Sequence, residues 1–446
     1  MTAAEGPGTA PAPPAPRTRP GLVRAVSRWE LVGLAINDVV GSGVYLLPAA
    51  AAALLGATSV WAVILAGLAV ALLVLCFAEA STHFNEPGGG YLYTREAFGH
   101  FIGFEVGWMT WLARIASVAS LSNGLALTVA YLWAPAGHGW GRIAVITVPL
   151  VILTWINVVG VKEGARAAVV LVIGKMLPLF IFVAVGFFFV RWSRVTAFHV
   201  PPSGTLGKAA LLLLFAYAGF ENTPAAAGEY RNPQRDVPFA LLAMILIVTL
   251  SYSAVQVVAL GTLPGLAQSQ SPLAEAAGLF MGGAGALLLT VGAIVSIVGN
   301  VGNTTLMGPR YVFALAADGY GPRLLARVHP RHRTPANAII TQTVIALALA
   351  LSGTFVQLAL LSVIARMATY LGTAAAVPVL RRRFGRRPGA FRMPGGPVIP
   401  VAAFLLTISL LASAGWKDLL AGAIGLAVGA LIYRFRHEPP GEGATS

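Results

Sequence analysis

Long apolar runs, separated by short polar segments, make up most of this chain. Most runs approach or exceed the ~20 residues that an α-helix needs to cross ~30 Å of hydrocarbon. The pattern predicts an all-α polytopic membrane protein with about twelve transmembrane helices. The predicted spans are 29–54, 58–84, 97–133, 142–160, 165–192, 206–228, 237–262, 282–316, 336–353, 355–380, 397–413 and 416–435.

The composition agrees with this class. Of 446 residues, 57% are hydrophobic and only 10% are charged, and the mean hydropathy is +0.78. Soluble domains carry roughly 25% charged residues. The single Cys76 excludes an internal disulfide, and the seven histidines show no ligand spacing. We therefore expect no metal site and no cofactor.

The net charge of +14 is explained by topology. Most Lys and Arg residues fall in segments that the order of spans places on the same side as the N-terminus, most densely at 381–387. Such segments face the cytosol under the positive-inside rule. We expect a multi-pass protein of the inner cell membrane, with both termini cytosolic, in contact with lipid and with no nucleic-acid partner.

The order of the spans suggests two halves. Residues 1–28 and 436–446 are predicted to be cytosolic tails, the first of them disordered because it is rich in Pro, Ala and Arg. Spans 1–5 (29–192) and spans 6–10 (206–380) would form two inverted repeats, and spans 11–12 (397–435) would stand outside them. Glycine-interrupted segments at matching positions of two halves indicate a transporter's binding site.

Two such interruptions occur. NDVVGSGVYLLP (37–48) places Asp38 and a Gly-Ser-Gly sequence inside span 1, and span 6 loosens at 217–222, with a helix restart expected at Thr223-Pro224. A broken helix survives in a membrane only when it is buried or lines a wet cavity. Its free N–H groups attract a carboxylate, and its free carbonyls suit an ammonium. These features favour an α-amino acid as ligand; the alternative is that the glycines only permit close helix packing.

Four segments resemble amino acid permeases of the APC superfamily. They are AINDVVGSGVYLLPA (35–49), EPGGGYLYTREAFG (86–99), FAYAGFENTPAAAGEYRNPQRDVP (215–238) and PRYVFALAADGYGPRLLARVHPRHRTP (309–335). The resemblance implies a LeuT-type five-plus-five inverted repeat with helices 1 and 6 interrupted. It also implies secondary active transport of amino acids or related amines by alternating access.

The resemblance assigns the substrate-binding residues by position. Backbone N–H groups would bind the substrate carboxylate, and carbonyls around the second break would receive the amine. Phe215 matches a gating aromatic, although its alternative role is ordinary packing. The expected substrate-binding residues are Gly41, Ser42, Gly43, Asp38, Phe215, Ala216, Ala218 and Gly219.

Three buried charges carry open alternatives. Lys175 matches a lysine of sodium-independent members, and would either load and release a proton or act as a fixed cation between spans 1 and 5. Asp38 departs from the family pattern, and would either pair with Lys175 or Arg114 or face the cavity and select cationic solutes. Glu221 matches a glutamate linked to gating and coupling, with a hydrogen bond across the break as the alternative.

Missing motifs exclude other classes. The chain has no phosphate loop, no H-E-x-x-H and no nucleophile elbow, so neither ATP hydrolysis by that route nor an intramembrane enzyme is expected. A channel usually needs rings of like residues from an oligomer. We expect a carrier of amino acids or amines, either a proton-coupled symporter or an exchanger; the alternative is an antiporter for cationic amino acids or polyamines.

Overall fold

The protein is described by a computed structural model that covers residues 26–84, 88–160, 165–196, 201, 204–385 and 390–435. Within these residues the chain is α-helical and forms no sheet, apart from one isolated bridge between Val26 and Tyr230. The first half contains α1 (Arg28–Val39), α2 (Gly43–Leu55), α3 (Ser59–Ser81), α4 (Gly89–Phe98), α5 (His100–Ala130), α6 (Gly139–Val159), α7 (Ala165–Gly186) and α8 (Trp192–Val195). The second half contains α9 (Thr205–Tyr217), α10 (Pro233–Thr262), α11 (Pro272–Ala317), α12 (Ala336–Ser352), α13 (Phe355–Phe384), α14 (Val398–Ala412) and α15 (Trp416–Arg434).

The lengths of these helices confirm a multi-pass membrane protein. Eight helical stretches of the described residues are long and apolar enough to cross a membrane, and α9, α12 and α14 are shorter apolar helices. The number of twelve spans stays a prediction. α11 exceeds its predicted span because its first turns precede a kink at Gly282, where φ is +67°.

The two predicted interruptions are present. α1 ends at Val39 and α2 begins at Gly43. α9 ends at Tyr217 and is followed by a 3₁₀ helix over Phe220–Glu229. The expected α-helical restart at Thr223-Pro224 is therefore wrong, because the tighter helix already begins at Phe220 and contains the proline.

Packing brings the broken spans together at the centre of the fold. α5 packs along α11 and α13, α1 packs against α10 and α7, and α2 packs against α9. The breaks are therefore covered by α5, α7, α10, α11 and α13. This placement meets the requirement that irregular backbone at membrane depth be surrounded by protein or line a cavity.

A charged contact ties the end of α3 to the second half. The Glu79 carboxylate accepts hydrogen bonds from Arg381 Nη2 at 2.8 Å and from the Met393 backbone N–H at 2.9 Å. One turn earlier in α3, the Cys76 thiol is completely buried. The end of α3 thus belongs to a well-packed part of the molecule.

Candidate functional site

The two breaks touch each other through glycines. A Cβ placed on Gly43 would lie 2.7 Å from Ala216 Cα, and one on Gly219 would lie 2.8 Å from the Asp38 carbonyl carbon. The backbone of Gly219 also has a φ of +128°, a value that residues other than glycine rarely adopt. These glycines thus do permit close packing, which was the alternative role. The two breaks nevertheless also line a common cavity.

Protein donors occupy the carbonyl end of α1. Lys175 Nζ donates to Asn37 O at 3.0 Å and to Val40 O at 3.1 Å. Asn300 Nδ2 donates to Asp38 O at 3.0 Å. A cation at this end also complements the helix dipole. The expectation that these carbonyls are left free for an ammonium is therefore wrong.

Tyr252 links the two breaks from α10. Its hydroxyl lies 3.1 Å from Ala216 O and 3.4 Å from Val39 O. Ala216 itself packs against Gly43 rather than facing the opening. Its carbonyl, which we expected to receive the amine, already accepts a hydrogen bond from the tyrosine.

The amide end of α2 is different. The Tyr45 and Leu46 N–H groups bond to Ser42 O, so the first regular helical bonds begin there. Within the described part of the chain, the N–H groups of residues 41–44 have no hydrogen-bond partner. The Ser42 hydroxyl is fully buried and also lacks one. Together these donors form a ready site for a carboxylate.

Three of these residues, Gly41, Ser42 and Gly43, line a central cavity. It is lined by Asp38, Val39, Gly41, Ser42, Gly43, Arg114, Ser117, Leu121, Phe215, Ala218, Gly219, Asn300, Thr304 and Arg366. Seven of the eight expected substrate-binding residues line it, and Ala216 does not. Lys175 and Glu221 lie behind this lining.

Phe215 covers part of the cavity wall. Its ring makes an edge-to-face contact with Phe355 of α13, with centroids 5.9 Å apart. The side chain is 7% exposed and is therefore inside the fold rather than against lipid. This position is compatible with the expected gating role.

Asp38 faces the cavity without an ionic partner. Its Oδ1 accepts a hydrogen bond from Asn303 Nδ2 of α11. No Lys or Arg nitrogen of the described residues lies within 4.0 Å of its carboxylate. The ion pair expected with Lys175 or Arg114 is therefore not formed. Asp38 instead faces the cavity, which was the alternative.

Glu221 organises the second break. Its Oε2 accepts from the Gly219 N–H at 3.0 Å, and its Oε1 is paired with Arg366 of α13. Tyr370 OH lies 3.4 Å from Oε2. Arg114 of α5 contributes a second, longer ionic contact, with Nη2 3.8 Å from Oε1. The hydrogen bond across the break, which was the alternative role for Glu221, is thus present beside a charge cluster.

The sequence alone did not identify the residues of α11 that reach the first break. Asn300 and Thr304 line the cavity, and Asn303 donates to Asp38. All three lie more than 250 residues from the first break, and no local motif marks them. Their helical spacing, which places them on one face of α11, is the sequence pattern that could have indicated them. No group of three or more potential metal ligands occurs among the described residues.

A multi-pass helical protein with two broken spans around a central polar cavity has the architecture of a solute carrier. The amino acid permease family matches residues 26–419, and the chain belongs to this family. It is therefore a transporter and not an enzyme.

Curated relatives align over nearly their full lengths. The branched-chain amino acid permease BcaP of Bacillus subtilis (strain 168) is 29% identical over 92% of both chains. The methylthioribose transporter of the same organism is 30% identical over 92% of this chain and 93% of its own. Its serine/threonine exchanger SteT is 29% identical over 92% and 95%. These names cover different substrates and an exchanger.

Proposed function

We propose that the chain is a secondary active transporter that moves amino acids across the cell membrane by alternating access. The observation that carries the proposal is the set of unpartnered donors at the start of α2, facing the cavity. They are proposed to hold the substrate carboxylate. The relatives named as permeases and exchangers support amino acids as the substrate class.

The amine requires an acceptor elsewhere in the cavity lining. Asp38 supplies a carboxylate in this lining, and Ala218 and Gly219 of the second break also contribute to it. Because the α1 carbonyls already accept hydrogen bonds from Lys175 and Asn300, Asp38 is the stronger candidate. We assign the ammonium to Asp38.

Lys175 and Glu221 are proposed to stabilise the breaks and to couple their movements. Lys175 Nζ bonds to two backbone carbonyls, and no carboxylate of the described residues lies within 4.0 Å of it. These contacts favour the fixed-cation role over proton loading. We propose proton-coupled symport or exchange as the mode of transport, and cytosolic termini from the charge distribution.

The test uses purified full-length protein in proteoliposomes. A panel of labelled amino acids is offered to empty and to substrate-loaded vesicles, with and without an inward proton gradient. Proton-driven uptake into empty vesicles would identify symport, and uptake only into loaded vesicles would identify exchange. Absence of uptake of every amino acid by folded protein would refute the proposal.

A substitution locates the carboxylate site. Replacing Gly43 is a poor choice, because a side chain there would collide with Ala216. Ser42→Ala removes one unpartnered hydroxyl without adding atoms, and should raise KM about tenfold or more, since a hydrogen bond to a charged group contributes about 1.5–3 kcal/mol. The melting temperature should not change.

Ser122→Ala is the matched control. Ser122 is also a buried serine in a span, but its hydroxyl donates to Val118 O of its own helix and does not line the cavity. Its KM should stay at the wild-type value. An equal KM for Ser42→Ala and wild type would remove Ser42 from the substrate site.

A further inference from the structure

Arg114 carries an unused hydrogen-bonding edge. This residue of α5 is 2% exposed and lines the cavity. Its Nε and Nη2 atoms are buried, and neither has a hydrogen-bond partner among the described residues. Nε and Nη2 form one edge of the planar guanidinium, and this edge can donate two parallel hydrogen bonds to a carboxylate.

Glu221 does not satisfy this edge. Arg114 Nη2 lies 3.8 Å from Glu221 Oε1, beyond hydrogen-bond distance, and that oxygen is already paired with Arg366. The other oxygen accepts from the Gly219 N–H and Tyr370. Two arginines thus share one carboxylate whose lone pairs are largely used. Glu221 therefore gives Arg114 an ionic contact but no hydrogen bond to its Nε–Nη2 edge.

The buried charges around the cavity also sum to an excess of positive charge. Lys175, Arg114 and Arg366 are basic, whereas Asp38 and Glu221 are the acidic side chains around the breaks. With all five ionised, one positive charge is in excess. A buried charge without compensation is costly, both in proteins generally and at membrane depth. A zwitterionic occupant leaves this excess unchanged, and a cationic one increases it.

Resting on the proposed function, we propose that the substrate is an acidic amino acid, and that Arg114 binds its side-chain carboxylate. The three charges of such a substrate then have three separate partners: the N–H groups at the start of α2, Asp38, and the free edge of Arg114. A net charge of −1 on the substrate neutralises the cavity. Arg114 is in this assignment a specificity-determining residue.

Glutamate and glutamine provide the test, because they differ in one charged group and have nearly the same shape. Initial uptake at limiting concentration into proteoliposomes gives kcat/KM for each. The wild type should favour glutamate at least about tenfold. Arg114→Gln should lower the glutamate-to-glutamine ratio about 10- to 100-fold, which corresponds to the loss of a charged hydrogen-bonding pair, while glutamine uptake persists.

Two further variants separate binding from folding. Arg114→Lys keeps the charge but lacks the fork, so its ratio should lie between those of the wild type and Arg114→Gln. Arg194→Gln removes a guanidinium outside the cavity and should leave the ratio unchanged. Among the described residues, its guanidinium hydrogen-bonds only to Thr262 O, at 3.5 Å. If Arg114→Gln does not fold, the preference of the wild type and the ratio measured for Arg114→Lys still test the proposal.

The failures of the two proposals are distinguishable. A wild type that carries glutamine or leucine but does not prefer glutamate would overturn this inference and leave amino acid transport intact. An unchanged ratio in folded Arg114→Gln would do the same. Absence of uptake of any amino acid would overturn the proposed function, and this inference with it.

Discussion

The two breaks are stabilised by buried charges of opposite sign. At the first break, the Lys175 ammonium donates to the carbonyls of Asn37 and Val40, where α1 ends. At the second, the Glu221 carboxylate accepts from the Gly219 N–H, at the start of the 3₁₀ helix. Each charge complements the helix end that it meets.

The charges differ in how they are compensated. Glu221 is paired with Arg366 and has a longer contact with Arg114, so three ionised groups depend on one another. Lys175 has only backbone partners in the described part of the chain. Removing the Glu221 carboxylate therefore leaves two arginines without a counterion. Removing the Lys175 ammonium mainly leaves two backbone carbonyls without donors.

Glu221→Gln should have the largest effect. It leaves two buried arginines without a counterion, a change that costs about 3–5 kcal/mol for a broken buried pair. We expect a large fall in melting temperature in detergent, together with loss of uptake. The melting curve of purified protein measures it.

Glu105→Gln is the control for this variant. Both oxygens of Glu105 are buried in α5 and lack a hydrogen-bond partner among the described residues. Neutralising this carboxylate should therefore leave stability unchanged or increase it. Equal destabilisation of the two variants would contradict the cluster at Glu221.

Lys175→Met should have an intermediate effect. It removes two charge-assisted hydrogen bonds but also a buried charge, and these changes partly offset each other, leaving a loss of about 1–3 kcal/mol. Uptake should fall at least about tenfold, because the end of α1 is no longer held against α7. Lys208→Met, at an exposed position near the start of α9, should behave as wild type. Wild-type uptake by Lys175→Met would show that the first break does not need its cation.

Tyr252→Phe should have the smallest effect. It removes the hydroxyl that bonds to Ala216 O and Val39 O, with an expected loss of about 0.5–1.5 kcal/mol. Melting temperatures compared with Tyr131→Phe, at an exposed tyrosine, measure the loss. A larger loss than for Lys175→Met would reverse the ranking and make the link between breaks more important than either charge.

The sequence was sufficient to locate the breaks and the class of fold. Glycine and proline perturb the backbone locally, so Gly41-Ser42-Gly43 and Gly219 identify the interruptions without knowledge of the rest of the chain. The nearness of Asp38 to the first break, and for Phe215 the family resemblance, placed these two residues at the cavity. Local signals of this kind survive in a single sequence.

The partners of these residues could not be obtained in the same way. Asn300 reaches the first break from 262 positions away, and Arg366 reaches Glu221 from 145. Such contacts depend on the rotation of each helix about its axis, and the spans are too uniformly apolar to indicate it. Ala216 was misassigned for this reason, because its side of α9 faces Gly43.

Cys76 has a practical consequence. It is the only cysteine of the chain, and its side chain is completely buried. Thiol reagents should therefore label the native protein slowly, so a cysteine introduced at Ser117 in the cavity wall would be the main reactive group. Its labelling by an impermeant reagent, applied in turn to each face of the membrane, would report the direction in which the cavity opens during transport.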